Sequence, residues 1–389
     1  MIKHVEIKNF KAIRSKYFPL RNLNVLLGMN GQGKSSFIQS LLLLRQSNMA
    51  SGRDKGRLSL RGQYVNIGNS KDAFYQYAKK DDKLELNLKL DNDLEIPFHY
   101  EYVIEKDELP PIIEESKKKS FEEKITNASI NTGLFSNKFQ YLNAFRIEPK
   151  STYPKSNNEV VQNRNIGING QFAAHYIETY YDEKIAFDNI LHPKSFIEDK
   201  ILKKTIVDKT LINQINLWLG EISPGINVRT TSINQDEVLL EYEFEQPTYG
   251  NTNRFKPENV GFGITYSLPV VTALLSAKPG ALLIIENPES HIHPKGQAEL
   301  GRLIALVAKN DIQIIIETHS DHLLNGIRVG VNRDDLDKNK IILFYFKKIV
   351  EEQEQYSEIV NIQLDSKGEL SEYPEGLLDE WGNQLMNLM

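Results

Sequence analysis

The 389-residue sequence has no cysteine. Disulfides, thiolate metal sites and cysteine nucleophiles are therefore excluded, and a reducing compartment fits. Long apolar runs are missing too, since the stretches 41–44 and 268–275 fall far short of the ~20 residues that span a bilayer. The opening MIKHVEIKNF alternates like a strand and has no apolar signal core. The expected location is the cytoplasm, with no membrane partner. An excess of positive charge is also lacking, because 47 lysines and arginines face 52 aspartates and glutamates for a net charge of -5. A surface basic throughout is excluded, so any nucleic-acid contact must be a local patch. Internal repeats and sustained heptads are absent, so no long coiled coil interrupts the chain. What remains is 40% apolar residues, ample for the core of one large domain or two ordinary ones.

The apolar pattern places strands at 2–10 and 22–27, the second running into a glycine-rich turn and a helix over 34–46. Residues 84–104, LELNLKLDNDLEIPFHYEYVI, alternate around a polar DND break and predict an antiparallel hairpin or meander. Between 105 and 226 the pattern weakens. It holds a lysine run at 117–119 with glutamates on both sides, which reads as a solvated helical face, a strand-like YLNAFRI at 141–147, and apolar spacing that predicts an amphipathic helix over 200–222. After a strand at 238–244 the elements alternate: helix 265–275, strand 282–286, helix 296–309, strand 312–317, helix 323–329. Such alternation predicts an α/β fold with a largely parallel, buried sheet.

GMNGQGKS at 28–35 fits G-x-x-x-x-G-K-[ST] between a predicted strand and a predicted helix. The backbone N–H groups of such a loop wrap a phosphate chain and the helix start adds positive potential. Asn30, Gly31, Gln32, Gly33, Lys34, Ser35 and Ser36 are thus candidate ATP ligands, with Lys34 reaching the β- and γ-phosphates and Ser35 holding Mg²⁺. The run LLIIENPESHIHP from 282 supplies an acid, Glu286, at the end of an aliphatic strand, where P-loop proteins hold Mg²⁺. The next residue is Asn287, which orients water but cannot take its proton. The nearest other carboxylate is Glu289, read equally well as a base or as a surface or dimer-contact acid. His319 ends a third aliphatic strand, IIIETHSDH, within possible reach of a γ-phosphate.

Together these segments resemble the ATP-binding-cassette (ABC) type of ATPase. The likeness is to its stand-alone branch related to SMC proteins, recombination ATPases and the overcoming-lysogenization-defect (OLD) family, some members of which also read E-N-P-E. It is carried by NFKA at 9–12, the P-loop, VGFGITYSLPVV at 260–271, ENPESHIHPKGQ at 286–297, ETHSDHLLNGIR at 317–328 and YPEGLLDEW at 373–381. The resemblance implies a P-loop NTPase of ABC/SMC-head type, with a mixed central sheet flanked by helices, an antiparallel β subdomain and an inserted helical region. The expected divisions are 1–104, 105–226 and 227–389. It further implies that Gly261, Gly263 and Thr265 form a signature motif aimed at the ATP of an opposite subunit, that 291–294 joins the two sites, that His319 is a switch histidine, and that Lys11 lies near the phosphates. Gln63 is the candidate metal-sensing glutamine. GFGIT departs from the usual serine-glycine-glycine signature, and Glu286-Asn287 from the usual aspartate-glutamate pair.

The implied function is an ATP-driven switch: a homodimer closing on two Mg-ATP, turning over slowly and gating an operon-encoded effector in bacterial antiphage defence. The alternative is a DNA-handling ATPase of the recombination or repair kind, contacting phosphates through Arg45, Arg53, Lys55, Arg57 and Arg61. Asp334, Asp335 and Asp337 read as a solvated loop, with no nuclease constellation around them.

Overall fold

The computed structural model describes residues 1–49, 56–79, 81–199, 204–246, 248 and 250–388. Strands β1 (Ile2–Phe10) and β2 (Ile13–Pro19) form a hairpin. β3 (Leu23–Leu27) is buried along its whole length, as its unbroken LNVLL requires, and α1 (Lys34–Met49) follows the glycine-rich turn. In β4 (Leu84–Leu90) every second side chain is buried, so its alternation marks a one-sided sheet. Then come α2 (Lys118–Asn131), β5 (Phe139–Leu142), α3 (Leu211–Gly220), β6 (Ile226–Ser232) and β7 (Glu237–Gln246). The α/β part continues with α4 (Phe262–Ser276), β8 (Ala281–Glu286), α5 (Pro294–Ala308), β9 (Ile312–Glu317) and α6 (Asp321–Asn332). β10 (Ile341–Val350), β11 (Gln355–Ile362) and α7 (Glu380–Asn387) complete the order.

These elements fall into two compact units. One comprises Met1–Ser136, Ile341–Leu364 and Leu370–Met389; the other comprises Asn137–Lys340 and Asp365–Glu369. In the first, β1 lies between β2 and β4 in an antiparallel sheet, while β3 pairs in parallel with β10, which pairs antiparallel with β11. In the second, β8 lies between β5 and β9, all parallel, with Ile285 opposite Leu142 on one side and Ile316 on the other. That register brings the polar residues following the three strands to one end. Local signals start the helices there: Ser320 Oγ accepts the Leu323 N–H at the head of α6, and Pro294 opens α5 behind the His293 cap.

Three expectations change. The segment 105–226, expected as one helical insertion, is divided between the units at 136/137 and contributes β5 to the second unit's sheet. The single helix over 200–222 is instead a strand pair, Phe196–Asp199 with Lys204–Val207, followed by a helix that begins at Leu211; residues 200–203 lie outside the described chain. The β-branched Thr205, Ile206 and Val207 favour the strand, and the Asp208 carboxylate accepts the Thr210 N–H and restarts the chain as a turn. The strand expected at 141–147 sits earlier, because after Leu142 the backbone turns away, with the Asn143 N–H donating to Ile168 O and the Ile147 N–H to Asn169 O.

Candidate active site

The first unit builds the phosphate loop. At Gly28 the backbone has φ +125°, and a Cβ there would collide with the Phe346 carbonyl of β10. At Gly33, φ is +103° and a Cβ would meet the Ser357 hydroxyl. Only glycine fits either place. Ser357 in turn donates its hydroxyl to Gln32 O at 2.7 Å and its N–H to Ala12 O at 2.8 Å, bracing the loop from β11. Lys34, only 3% exposed, folds back on the loop and donates to the carbonyls of Gly28 (2.8 Å) and Met29 (2.9 Å). Asn30, Gly31 and Ser35 are exposed, Gln32 is half-buried and Ser36 is buried. Lys11, at φ +50°, donates its ammonium to Gln39 Oε1 at 2.8 Å, and burial lowers its pKa. It shares a cleft with Gly31, Ser36, Lys348, Tyr356 and Ser357. Gln63 does not line that cleft and lies exposed in a bend.

The second unit gathers the carboxylates. Glu286 ends β8, its Oε1 accepting from the Tyr141 hydroxyl at 2.9 Å and its Oε2 from the Ala144 N–H at 3.3 Å. The carbonyl of Glu286 accepts from Arg146 Nη2 at 2.7 Å. Burial raises the Glu286 pKa, while Tyr141, Ala144 and Arg146 oppose the rise. Asn287 stands at φ +44°, a left-handed conformation that asparagine tolerates, with its N–H donated to Glu317 O at the end of β9. Glu289 accepts the His319 N–H at 2.9 Å, and burial raises its pKa as well. Asn287 Oδ1 and Glu289 Oε2 are buried without a protein partner. Glu286, Asn287, Glu289 and His319 therefore meet where β8 and β9 end, with the His319 side chain exposed. The start of α4 leans on the same turn. Gly263 packs against the His291 carbonyl so closely that a Cβ would collide, and the His291 ring lies 4.8 Å from that of Tyr266.

Two sequence-derived assignments are corrected. Thr265 is 2% exposed and sits inside the unit, so its hydroxyl cannot face another subunit; of the expected signature donors only Gly261, exposed, and Gly263, half-buried, remain at the helix start. Arg45 is 5% exposed and donates to Leu134 O and Ser136 O, so it holds the chain together and does not meet phosphates. Arg57 is half-buried and Arg61 exposed, and they lie 3.8 Å from Glu108 and Asp107 respectively. Arg53 and Lys55 lie outside the described residues.

Tyr141 and Arg146 join the carboxylates of the second unit, and Ser357 the phosphate loop of the first, without having been read from the sequence. Ser357 leaves no signal, since a serine alternating in a strand is ordinary. Arg146 leaves a faint one: a lone cation inside the apolar YLNAFRI must be partnered if that stretch is buried.

Each unit carries donors of a kind that suits Mg-ATP: the first a glycine loop that admits no Cβ at Gly28 or Gly33, with Lys34 folded over it, and the second two half-buried carboxylates, one of which, Glu289, has an unpartnered oxygen. Among the described residues no helix is long and apolar enough to cross a membrane. The family model AAA_21, "AAA domain, putative AbiEii toxin, Type IV TA system", matches residues 23–325. A second, "Protein of unknown function (DUF3696)", matches residues 336–388. No curated protein matches the sequence. Among solved structures, the chain is similar to an SMC head bound to the C-winged helix domain of ScpA, at 14% identity and TM-score 0.55, with 94% of this chain and 98% of that chain covered. It is also similar to an Smc head domain with an extended coiled coil, derived from Pyrococcus furiosus and bound to the C-terminal domain of ScpA, at 13% identity and TM-score 0.50 with 100% and 99% covered. These likenesses show the fold, a P-loop NTPase of SMC-head type with a mixed sheet and flanking helices. With most of its length matched, the chain belongs to the AAA-domain family of P-loop ATPases described as putative AbiEii toxin, Type IV TA system.

Proposed function

We propose that the protein is an ATP-driven switch in which two copies close around two Mg-ATP and the closed state controls a partner protein. The observation that carries this reading is the start of α4. Its N-cap, Gly261, makes no side-chain cap, Gly261 and the 57%-exposed Phe262 face solvent, and the helix is fastened to the turn after Glu286 through Gly263. A helix start with free N–H groups suits an anion delivered by a second copy. Lys34 and the loop amides bind the phosphates, and Ser35 and Glu286 are the residues that would hold Mg²⁺, which offsets phosphate charge when bound. Asn287 orients the attacking water and Glu289 takes its proton. Because the residue after the strand acid is an amide, turnover is slow; loss of a well-placed base costs ~10²- to 10⁴-fold. Slow turnover gives the long-lived ATP state that a switch requires. Control of an effector, in defence against phage, is supported by the AbiEii description of the family and by SMC heads solved with a bound partner domain.

Light scattering with and without ATP and Mg²⁺ tests the sandwich. The wild type is expected to dimerise with nucleotide and Lys34→Ala to give no response. A wild type that stays monomeric in both conditions, together with a pull-down from the native host that recovers no second ATPase chain, would sink it.

A further inference from the structure

Arg146 is 6% exposed, yet among the described residues its fork-shaped head makes one hydrogen bond: Nη2 donates to the carbonyl of Glu286 at 2.7 Å. Nη1 is buried without a partner, as are Asn287 Oδ1 and Glu289 Oε2. The charge of Arg146 acts on both Glu286 and Glu289, and its Nη2 bond is to the carbonyl that precedes Asn287, so the idle donor and the two idle acceptors belong to the turn after β8 and to the arginine bonded to it. Burying a guanidinium is costly, and burying it with an idle donor more so, unless the donor serves something. One donor and two acceptors make the coordination that an internal water needs. The arginine is itself held firmly. It sits between Asn143 and Ile147, whose N–H groups are pinned to Ile168 and Asn169, and next to Ala144, whose N–H bonds Glu286 Oε2.

We infer that Arg146 is a positioning residue for hydrolysis: it grips the Glu286–Asn287 peptide from behind, holds Asn287 in its left-handed turn, and presents Nη1 with Asn287 Oδ1 and Glu289 Oε2 to one water. This rests on the reading of Asn287 and Glu289 given above. The guanidinium touches no substrate atom, so its effect falls on the rate through those two side chains and not on nucleotide affinity. Lysine can reach one carbonyl, but its rotatable ammonium on a flexible stem lacks the rigid planar fork that fixes the direction of a second donor.

The test uses Arg146→Met and Arg146→Lys in the full chain, measuring single-turnover ATP hydrolysis, affinity for a fluorescent ATP analogue and thermal melting. Arg146→Met is expected to lower the single-turnover rate by about 10²-fold, as a misplaced reacting group does, with affinity close to wild type; Arg146→Lys should recover part of the rate. Arg146→Met hydrolysing like wild type overturns the inference, and so do rate, affinity and melting temperature falling together in both variants, which marks a purely structural arginine. Where the methionine variant does not fold, the lysine variant decides by the same criteria. A wild type with no hydrolysis at all sinks the hydrolytic reading itself, a result separate from any difference between wild type and variants.

Discussion

Under the proposed function, Asn287 and Glu289 divide the work of orienting the attacking water and taking its proton. Asn287 sits one residue after the strand acid but in a left-handed conformation with its Oδ1 unpartnered, and Glu289 keeps one oxygen on the His319 N–H and the other idle. Glu289→Gln is expected to slow single-turnover hydrolysis by at least ~10²-fold while leaving ATP binding intact. Asn287→Glu should speed it, although a glutamate in that left-handed turn costs roughly 1 kcal/mol or more. If Glu289→Gln hydrolyses like wild type and Glu286→Gln is dead, Glu286 is the base and the assignment fails. A second consequence concerns stability. Burial raises the Glu289 pKa, so the folded protein keeps this proton at pH values where the unfolded chain has lost it. The contribution of Glu289 to stability is thus present below the ordinary glutamate pKa and is lost as pH rises through the raised value. Glutamine does not titrate and retains an acceptor for the His319 N–H. Melting curves should therefore show Glu289→Gln gaining on wild type as pH rises above the ordinary glutamate pKa, by on the order of 2–4 °C per kcal/mol; a gap that shrinks over that rise would contradict the sign of the shift.

The phosphate loop shows how one element depends on another far away in sequence. Its glycines are required by the chain's own left-handed turns, but its rigidity comes from Ser357 on β11, more than three hundred residues on. Gly33→Ala is expected to abolish nucleotide binding by calorimetry. Adding Ser357→Ala removes the colliding hydroxyl but not the φ of +103°, so the double variant should stay inactive; restored binding would show that the collision alone mattered. Ser357→Ala by itself forfeits one hydrogen bond to the loop, worth about 1 kcal/mol, and should weaken affinity modestly.

For the molecule as a whole, charge sets the limits on nucleic acid. The chain is acidic, Arg45 is taken up by carbonyls, and Arg57 and Arg61 each have an acid beside them. DNA binding is expected to be weak and to disappear between roughly 50 and 200 mM salt, as a contact made of a few phosphates does. Neutralising Arg53, Lys55 and Arg57 should abolish it in a gel-shift or anisotropy assay. Tight, sequence-specific binding that survives high salt would favour the DNA-handling alternative.

The parts that sequence alone determined are those whose physics is local. The P-loop is legible because glycine spacing dictates left-handed turns wherever it occurs, the α/β alternation because buried parallel strands demand continuous aliphatic runs such as LLIIE and IIIE, and Glu286, Asn287 and His319 because they follow directly from where those runs end. Tertiary structure decided what depends on packing. Thr265 matched the motif by position but the turn of α4 points it inward; Arg45 matched a basic cluster by count but its neighbours are carbonyls; and 200–222 had helical spacing that three β-branched residues and Asp208 overruled. Arg146 and Ser357 could not be placed at all from their surroundings in the chain, since what ties the one to the carboxylates and the other to the phosphate loop is a bond to a backbone carbonyl 140 and 325 residues away in sequence. A residue's partners across such separations are set by the fold, because nothing in its immediate sequence neighbourhood specifies which distant carbonyl it will meet.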